Sequence, residues 1–213
     1  MAEGRSCRAG RILGIVGDME ILVATGNAHK LGELSPLFPG HTLMTPDSVG
    51  IDNFEVVEDG ASFLDNALIK ARALYSATGR PSLADDSGLA VHALGGAPGI
   101  YSARYGSEGG QKLEAAERNA LLLRNTEAFS DRACAFVCCL VLILSDSRFY
   151  IVQESCEGEL LRAPRGEGGF GYDPLVYLPA LEKSVAELSA PEKNRVSHRG
   201  RAAARMARLI EGL

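Results

Sequence analysis

Four short stretches of this sequence carry residues that could do chemistry. Thr25-Gly26-Asn27-Ala28-His29-Lys30 follows an apolar run. Its glycine permits a tight turn, and a helix opening there offers free backbone N–H groups to a phosphate, with Lys30 as a point charge beside them. The same residues also make an ordinary capped helix with a surface lysine, and the segment alone does not separate the two. Ala84-Asp85-Asp86-Ser87-Gly88-Leu89 places two adjacent carboxylates after an apolar segment, where burial is costly unless a cation or hydrogen-bond donors meet them. Hard carboxylate oxygens suit Mg²⁺, which keeps several waters and shares its octahedron with substrate phosphates. Asp-Asp-Ser-Gly is equally good turn chemistry. Glu55, Glu58 and Asp59 are available as a further carboxylate.

The third stretch, Gly168-Gly169-Phe170-Gly171-Tyr172-Asp173, combines glycines that allow close backbone approach with aromatics that can stack on a base. The fourth, Glu192 to Arg208, gathers Lys193, Arg195, Arg199, Arg201, Arg205 and Arg208 into a local positive field. Arg205 and Arg208 read as solvated helix face, whereas His198-Arg199 near the helix start is better placed for a ligand. Carboxylates for a metal, lysines for phosphates and an aromatic loop for a ring together point to a nucleotide.

Other chemistries fail on spacing. No G-x-x-x-x-G-K-[ST] loop and no H-E-x-x-H occurs, and His29, His41, His92 and His198 are too scattered for a zinc site. Gly166, Gly168 and Gly171 satisfy G-x-G-x-x-G formally, but Tyr172-Asp173-Pro174 follows at once instead of a helix. A dinucleotide fingerprint needs the strand–turn–helix context that is missing.

The elements that must position these residues alternate. Ile21 to Ala24 reads as a buried strand, followed by a helix from about Ala28 to Leu37. Phe63, Ala67, Ala71 and Leu74 recur at helical spacing between Ser62, a candidate N-cap, and the stop Gly79-Arg80-Pro81. Ser82–Ala84 and Leu89–Leu94 read as short strands around the acidic pair, and Lys112 to Ala128 as a third helix. Ala133–Ser145 and Phe149–Glu159 are long enough for a hairpin, and a last helix runs from about Ser197 to Ile210. This order predicts an α/β protein, a mixed sheet with helices on its faces; strand order does not follow from it.

The chain has 213 residues, 46% hydrophobic and 23% charged, a size that buries a core without disulfide or metal staples. The longest apolar run, Ala133 to Leu144, is too short for a bilayer. The net charge of −5 argues against coating a nucleic acid polymer, which needs a basic field. Cys7, Cys134, Cys138, Cys139 and Cys156 show no C-x-x-C and read as small hydrophobes in a reduced cytoplasmic protein. Met19 stands directly before the first strand, so residues 1–18 read as an extension, or Met19 as the physiological start, with residues 19–213 as the domain.

With these motifs in this order, joined by Gly95-Gly96-Ala97-Pro98-Gly99-Ile100-Tyr101-Ser102-Ala103-Arg104 and Ser197-His198-Arg199-Gly200, the sequence from Glu20 onward resembles the inosine/xanthosine triphosphate pyrophosphatase family. The resemblance implies an elongated α/β fold of two lobes with a central cleft, usually a homodimer. It implies Mg²⁺-dependent conversion of dITP, ITP or XTP to the monophosphate and pyrophosphate, cleansing the nucleotide pool. By the same resemblance Thr25, Gly26, Asn27 and Lys30 bind the triphosphate, and Glu58 and Asp86 hold the metal, Asp86 also accepting a proton. Ser87, Phe170, Gly171, Tyr172, Asp173, Lys193, His198 and Arg199 match substrate-contacting positions, and Asn66 and Lys70 match a helix facing the cleft. Gly106-Ser107-Glu108-Gly109-Gly110 departs from the family's short acidic loop, which leaves any dimer or lid contact of that loop open. Two other readings stand beside this one: a nucleotide-binding sensor without turnover, and a general nucleotide pyrophosphatase.

Overall fold

The structure is a computed structural model that describes residues 18–107 and 112–211. Residues 1–17 of the extension 1–18, residues 108–111 of the glycine-containing loop and residues 212–213 lie outside the described residues. The strands are β1 (Met19–Val23), β2 (His41–Met44), β3 (Ser82–Val91), β4 (Ala133–Ser145), β5 (Arg148–Leu160), β6 (Val176–Leu178) and β7 (Lys183–Ser184). They form one sheet in the order β2-β1-β3-β4-β5-β6-β7. β1 runs parallel to β2 and β3, and every later pairing is antiparallel, so the sheet is mixed as expected. The helices are α1 (Ala28–Leu34), α2 (Phe63–Thr78), α3 (Ala115–Asn125), α4 (Ala190–Val196) and α5 (His198–Ile210). Among the described residues no helix is long and apolar enough to cross a membrane.

The apolar run of β4 is explained by burial on both faces. Its even positions Cys138, Leu140 and Leu142 pack with Ala203, Met206 and Ile210 of α5, while Cys139, Val141 and Ile143 pack with Ala67, Ala71 and Leu74 of α2. A strand covered on both sides loses polar alternation, which is why it reads as a continuous hydrophobic run. Truncating a fully buried leucine here, such as Leu140, would cost about 2–5 kcal/mol. A third core lies toward the other end of the sheet and joins Leu89 and Val91 of β3 to Leu122, Phe136, Leu160, Tyr172 and Leu175.

Local signals set the helix ends. Ser62 Oγ accepts from Asp65 N–H at 3.1 Å to cap α2, and Gly79 closes it at φ 64°. Ser197 caps α5 from outside by accepting the Gly200 N–H. Pro36 cuts α1 to Leu34 and leaves a single 3₁₀ turn to Leu37. The third helix is shorter than expected, Ala115–Asn125 rather than 112–128.

One expectation is overturned. The acidic pair does not sit in a turn between two short strands: Ser82 to Val91 is one strand, paired residue for residue with Ile143 to Cys134 of β4. The carboxylates remain in the strand because side chains from distant segments meet them, as described next. They occupy the stretch of β3 between Leu83 and Ala84, which belong to the cores on its two faces, and Leu89 and Val91, which belong to the third.

Candidate active site

Alternation along β3 sends its two carboxylates to opposite faces of the sheet. Asp85 faces α1 and α5. Its Oδ1 accepts from Lys30 Nζ at 2.6 Å and from Ser87 Oγ at 2.8 Å, and its Oδ2 accepts from Arg199 Nε at 2.8 Å and Cys138 Sγ at 3.3 Å. Burial raises the carboxyl's proton affinity, but the Arg199 and Lys30 charges outweigh it and hold Asp85 well below the ordinary range. Asp85 is a buried anion at neutral pH.

Asp86 faces α2. Its Oδ1 accepts from Lys70 Nζ at 2.7 Å, and its buried Oδ2 has no partner among the described residues. Here burial wins over the Lys70 charge, and the carboxyl is pushed up to about 6. Lys70 also donates to Glu58 Oε2 at 3.1 Å and to the Asp85 carbonyl at 3.0 Å. At Glu58 the balance is reversed: burial is outweighed by Lys70 and its carboxyl lies below the usual value. Two neighbouring aspartates with proton affinities driven apart are the arrangement from which acid and base roles are assigned.

The residues facing Asp85 form a continuous ion-pair lattice. Arg199 Nη1 reaches Glu33 Oε2 at 2.6 Å and Arg199 Nη2 reaches Ser87 Oγ at 2.8 Å. Lys193 Nζ lies 2.5 Å from Glu33 Oε1 and 2.7 Å from Asp173 Oδ2. Asp173 Oδ2 in turn accepts the Phe170 N–H at 2.8 Å, which fixes the aromatic loop. Gly169 is required there: φ is +70°, and a Cβ would stand 2.1 Å from Asp173 Oδ2. The Phe170 ring stacks on His29 at 5.2 Å, with the Lys193 ammonium 4.8 Å from its centroid. Gly171 is held through its carbonyl by Asn119 Nδ2 at 3.0 Å, and Tyr172 by its hydroxyl on the Ser102 carbonyl at 2.9 Å.

His198 is buried and stacks on Phe136 at 4.8 Å, its Nδ1 without a partner among the described residues. Burial, with the Arg199 charge behind it, keeps the imidazole neutral. At the start of α1, Asn27 Oδ1 accepts the His29 N–H at 2.9 Å and Thr25 Oγ1 accepts the Asn27 N–H at 3.1 Å.

Two cavities meet at Asn27, Lys30 and Ala103. One, of about 1030 Å³, is lined by Thr25, Gly26, Glu58, Lys70, Asp85 and Arg104 among others. The other, of about 150 Å³, is lined by Ser87, Phe136, Phe170, Gly171, Tyr172, Asp173, His198 and Arg199. Most of the residues singled out in the sequence thus line one or other cavity; Lys193 reaches the smaller one through Asp173, and Asp86, which lines neither, is joined to the larger one through Lys70, whose ammonium it shares with Glu58. Two qualifications follow from the geometry. The positive field is not bare, since Lys30, Lys193 and Arg199 are each paired with a carboxylate. Arg195, Arg201, Arg205 and Arg208 stay exposed outside both cavities. Glu33 and Phe136 belong to the site although nothing in the sequence marked them; the one available signal was Glu33's i+3 spacing from Lys30 on a helix.

No group of three or more His, Cys, Asp or Glu residues that could cage a metal exists among the described residues. Glu58 and the unpartnered Asp86 Oδ2 offer two carboxylates, which suits an octahedral ion that completes its shell with water and phosphate. The residues fit Mg²⁺ of that kind.

Fold and cleft together define a class: an α/β protein with a mixed sheet, a large polar cavity beside Lys30 and Glu58, and a smaller one lined by Phe136, Phe170 and Tyr172. The comparisons place the chain within that class. Residues 21–209 match the Ham1 family, and the chain belongs to it. It is 47% identical over 194 residues to the dITP/XTP pyrophosphatase of Treponema denticola, covering 91% of this chain and 100% of that one. To the Thermus thermophilus protein of the same description it is 47% identical over 190 residues, covering 86% and 88%. The fold is similar to that of the HAM1 protein from Coxiella burnetii, with a TM-score of 0.83 at 37% identity over 92% of this chain and all of the other. The Staphylococcus aureus Ham1 protein gives 0.81 at 37% identity over 91% and 98%.

Proposed function

We propose that this chain hydrolyses the non-standard purine nucleoside triphosphates dITP, ITP and XTP to the monophosphate and pyrophosphate. The observation that carries the assignment is the division of labour at Asp85-Asp86. One carboxylate is locked as an anion that orients Lys30 and Arg199; the other, on the opposite face of β3, is raised to about 6 and keeps a buried oxygen without a partner among the described residues. The dITP/XTP pyrophosphatases of Treponema denticola and Thermus thermophilus, to which the chain is similar, agree with it.

Water attacks the α-phosphorus, the α–β anhydride bond breaks, and the bridging oxygen leaves with pyrophosphate. The Asp86 carboxylate takes the water's proton, a role that needs a carboxylate near its working pH. Lys30, beside Thr25, Gly26 and Asn27, binds the phosphate chain and holds it in line. Glu58 and Asp86 would hold Mg²⁺, which when bound would supply charge neutralisation for the departing pyrophosphate. Binding a polyanion among so many carboxylates is unfavourable without such a cation.

The ring enters the smaller cavity. Hypoxanthine and xanthine present an oxygen at C6, an acceptor for His198, Arg199 or the backbone N–H groups near Phe170 to Asp173; adenine presents an amino group, which leaves those donors unpaired. A site built on such pairing discriminates strongly. A homodimer in the cytoplasm completes the reading: the family resemblance supports the first, and four buried unpaired thiols suit a reducing compartment. Light scattering tests the assembly state. Pyrophosphate release from ITP, dITP, XTP, GTP and ATP with Mg²⁺ tests the function. Turnover of ITP well above ATP is the expected result; equal kcat/KM for the two overturns the substrate assignment, and no release from any of them overturns the activity.

A further inference from the structure

Asn66 is fully buried in α2, an unusual place for an amide with poor helix propensity. Its Nδ2 meets no acceptor among the described residues, so the residue costs folding free energy that an apolar side chain would not. Its Oδ1, however, accepts the Gly60 N–H at 2.9 Å. Gly60 stands two residues beyond Glu58, in the segment 51–62, which forms neither helix nor strand. The loop is pressed onto the helix at this point: a Cβ on Gly60 would lie 2.7 Å from Asn66 Oδ1 and 2.5 Å from Asp65 Cβ. One turn further along the same helix face, Lys70 holds the Glu58 side chain and Asp86 together. Asn66 therefore ties the backbone of the loop, and Lys70 its carboxylate. Arg104 Nη2 adds a third hold on the Glu58 carbonyl at 3.3 Å.

We propose that Asn66 is a positioning residue for the divalent cation. By fixing the loop at Gly60, it sets where the Glu58 carboxylate stands relative to the free oxygen of Asp86. Groups that orient a metal ligand typically change metal affinity by about 10–100-fold when removed. The inference rests on the functional reading above for the identity of the cation site.

The test is calorimetric titration of the full chain with Mg²⁺ alone, together with the Mg²⁺ dependence of ITP hydrolysis. Asn66→Ala is expected to weaken Mg²⁺ binding about tenfold or more and raise the half-saturating Mg²⁺ concentration, with kcat at saturating Mg²⁺ within about threefold. Asn66→Asp keeps the acceptor on Gly60 and is expected to restore affinity to within about threefold, which a purely structural role for the amide would not predict. Gly60→Ala crowds the same contact from the loop side and is expected to reproduce the loss, so the question stays decidable if Asn66→Ala does not fold. Unchanged Mg²⁺ affinity in Asn66→Ala and Gly60→Ala, or equal weakening in Asn66→Ala and Asn66→Asp, overturns the proposal. Absence of ITP turnover in the unaltered chain refutes the functional reading instead, and the Mg²⁺ titration is read independently of it.

Discussion

Arg199 and Asp85, 114 residues apart, are joined by a hydrogen-bonded ion pair of 2.8 Å in which both side chains are almost wholly buried. The pair ties the first turn of α5 to the middle of β3. It also decides how the rest of the cleft is arranged, because Arg199 carries Glu33 and Ser87 and Glu33 carries Lys193. Side chains so constrained are pre-organised: the entropy of ordering them is lost on folding and not on ligand binding.

Removing one member of this pair leaves a buried charge without compensation. Asp85→Ala is expected to lower stability by about 3–5 kcal/mol in urea unfolding, far more than loss of the exposed Arg80–Glu20 pair. The pH dependence has a definite sign. The Asp85 carboxyl is depressed in the folded state, so its contribution is fully present above the unfolded carboxyl value and is lost as pH falls through the acid range below it. Unfolding midpoints measured downward from pH 5 should therefore fall more steeply for the unaltered chain than for Asp85→Ala.

Asp86 is expected to behave in the opposite manner. Asp86→Asn preserves shape and the contact with Lys70's neighbourhood but cannot accept the proton, so kcat should fall by about a hundredfold or more. A folded variant within threefold of the unaltered chain would refute the role. With the carboxyl at about 6, kcat/KM should decline below that pH, because only the ionised form serves as base. Raising Mg²⁺ should move this limb to lower pH, since a cation favours the carboxylate. Profiles at low and high Mg²⁺ make the measurement.

Much of the frame was legible because it rests on local pattern. α2 announced itself by Phe63, Ala67, Ala71 and Leu74 between a serine cap and a glycine stop, and the β4–β5 hairpin by two long runs around Ser145 to Arg148. The short elements were not. β2 has four residues, β6 three and β7 two, and these pair only because longer neighbours offer an edge. Local sequence breaks β3 in two, since adjacent aspartates favour turns unless distant partners compensate. Those partners, Lys30, Lys70 and Arg199, come from three helices at separations no local window contains. The site residues themselves were legible as motif chemistry, but their mutual pairing, and Glu33's place at its centre, is a product of tertiary structure.

The aromatic loop depends on a single backbone conformation. Gly169→Ala would put a methyl group 2.1 Å from Asp173 Oδ2 at a φ of +70°, displacing the carboxylate that holds Phe170 N–H and Lys193. The expected result is a rise in KM for ITP of about tenfold or more, the scale of losing one or two charge-assisted hydrogen bonds. Titration with Mg²⁺ alone should be unaffected, because Glu58 and Asp86 lie on the other face of β3. Parallel loss of both would mean that the two ends of the cleft are not separable.

His198 allows base selection to be tested apart from phosphate binding. It is neutral and buried, stacked on Phe136, with Nδ1 unpaired among the described residues, so it can serve the ring without carrying charge. His198→Ala removes a directed polar group from a water-poor pocket, and kcat/KM for ITP should drop by about tenfold to a hundredfold, corresponding to about 1–3 kcal/mol. ATP, whose amino group gains nothing from a donor at that position, should be affected much less, so the ITP-to-ATP ratio contracts. His198→Phe separates two causes: it keeps the stack on Phe136 without the ring nitrogens, and should lose selectivity as Ala does. If His198→Phe retained the full ratio, stacking and not hydrogen bonding would be the source of discrimination, and Arg199 with the Phe170–Asp173 backbone would have to supply the C6 donor.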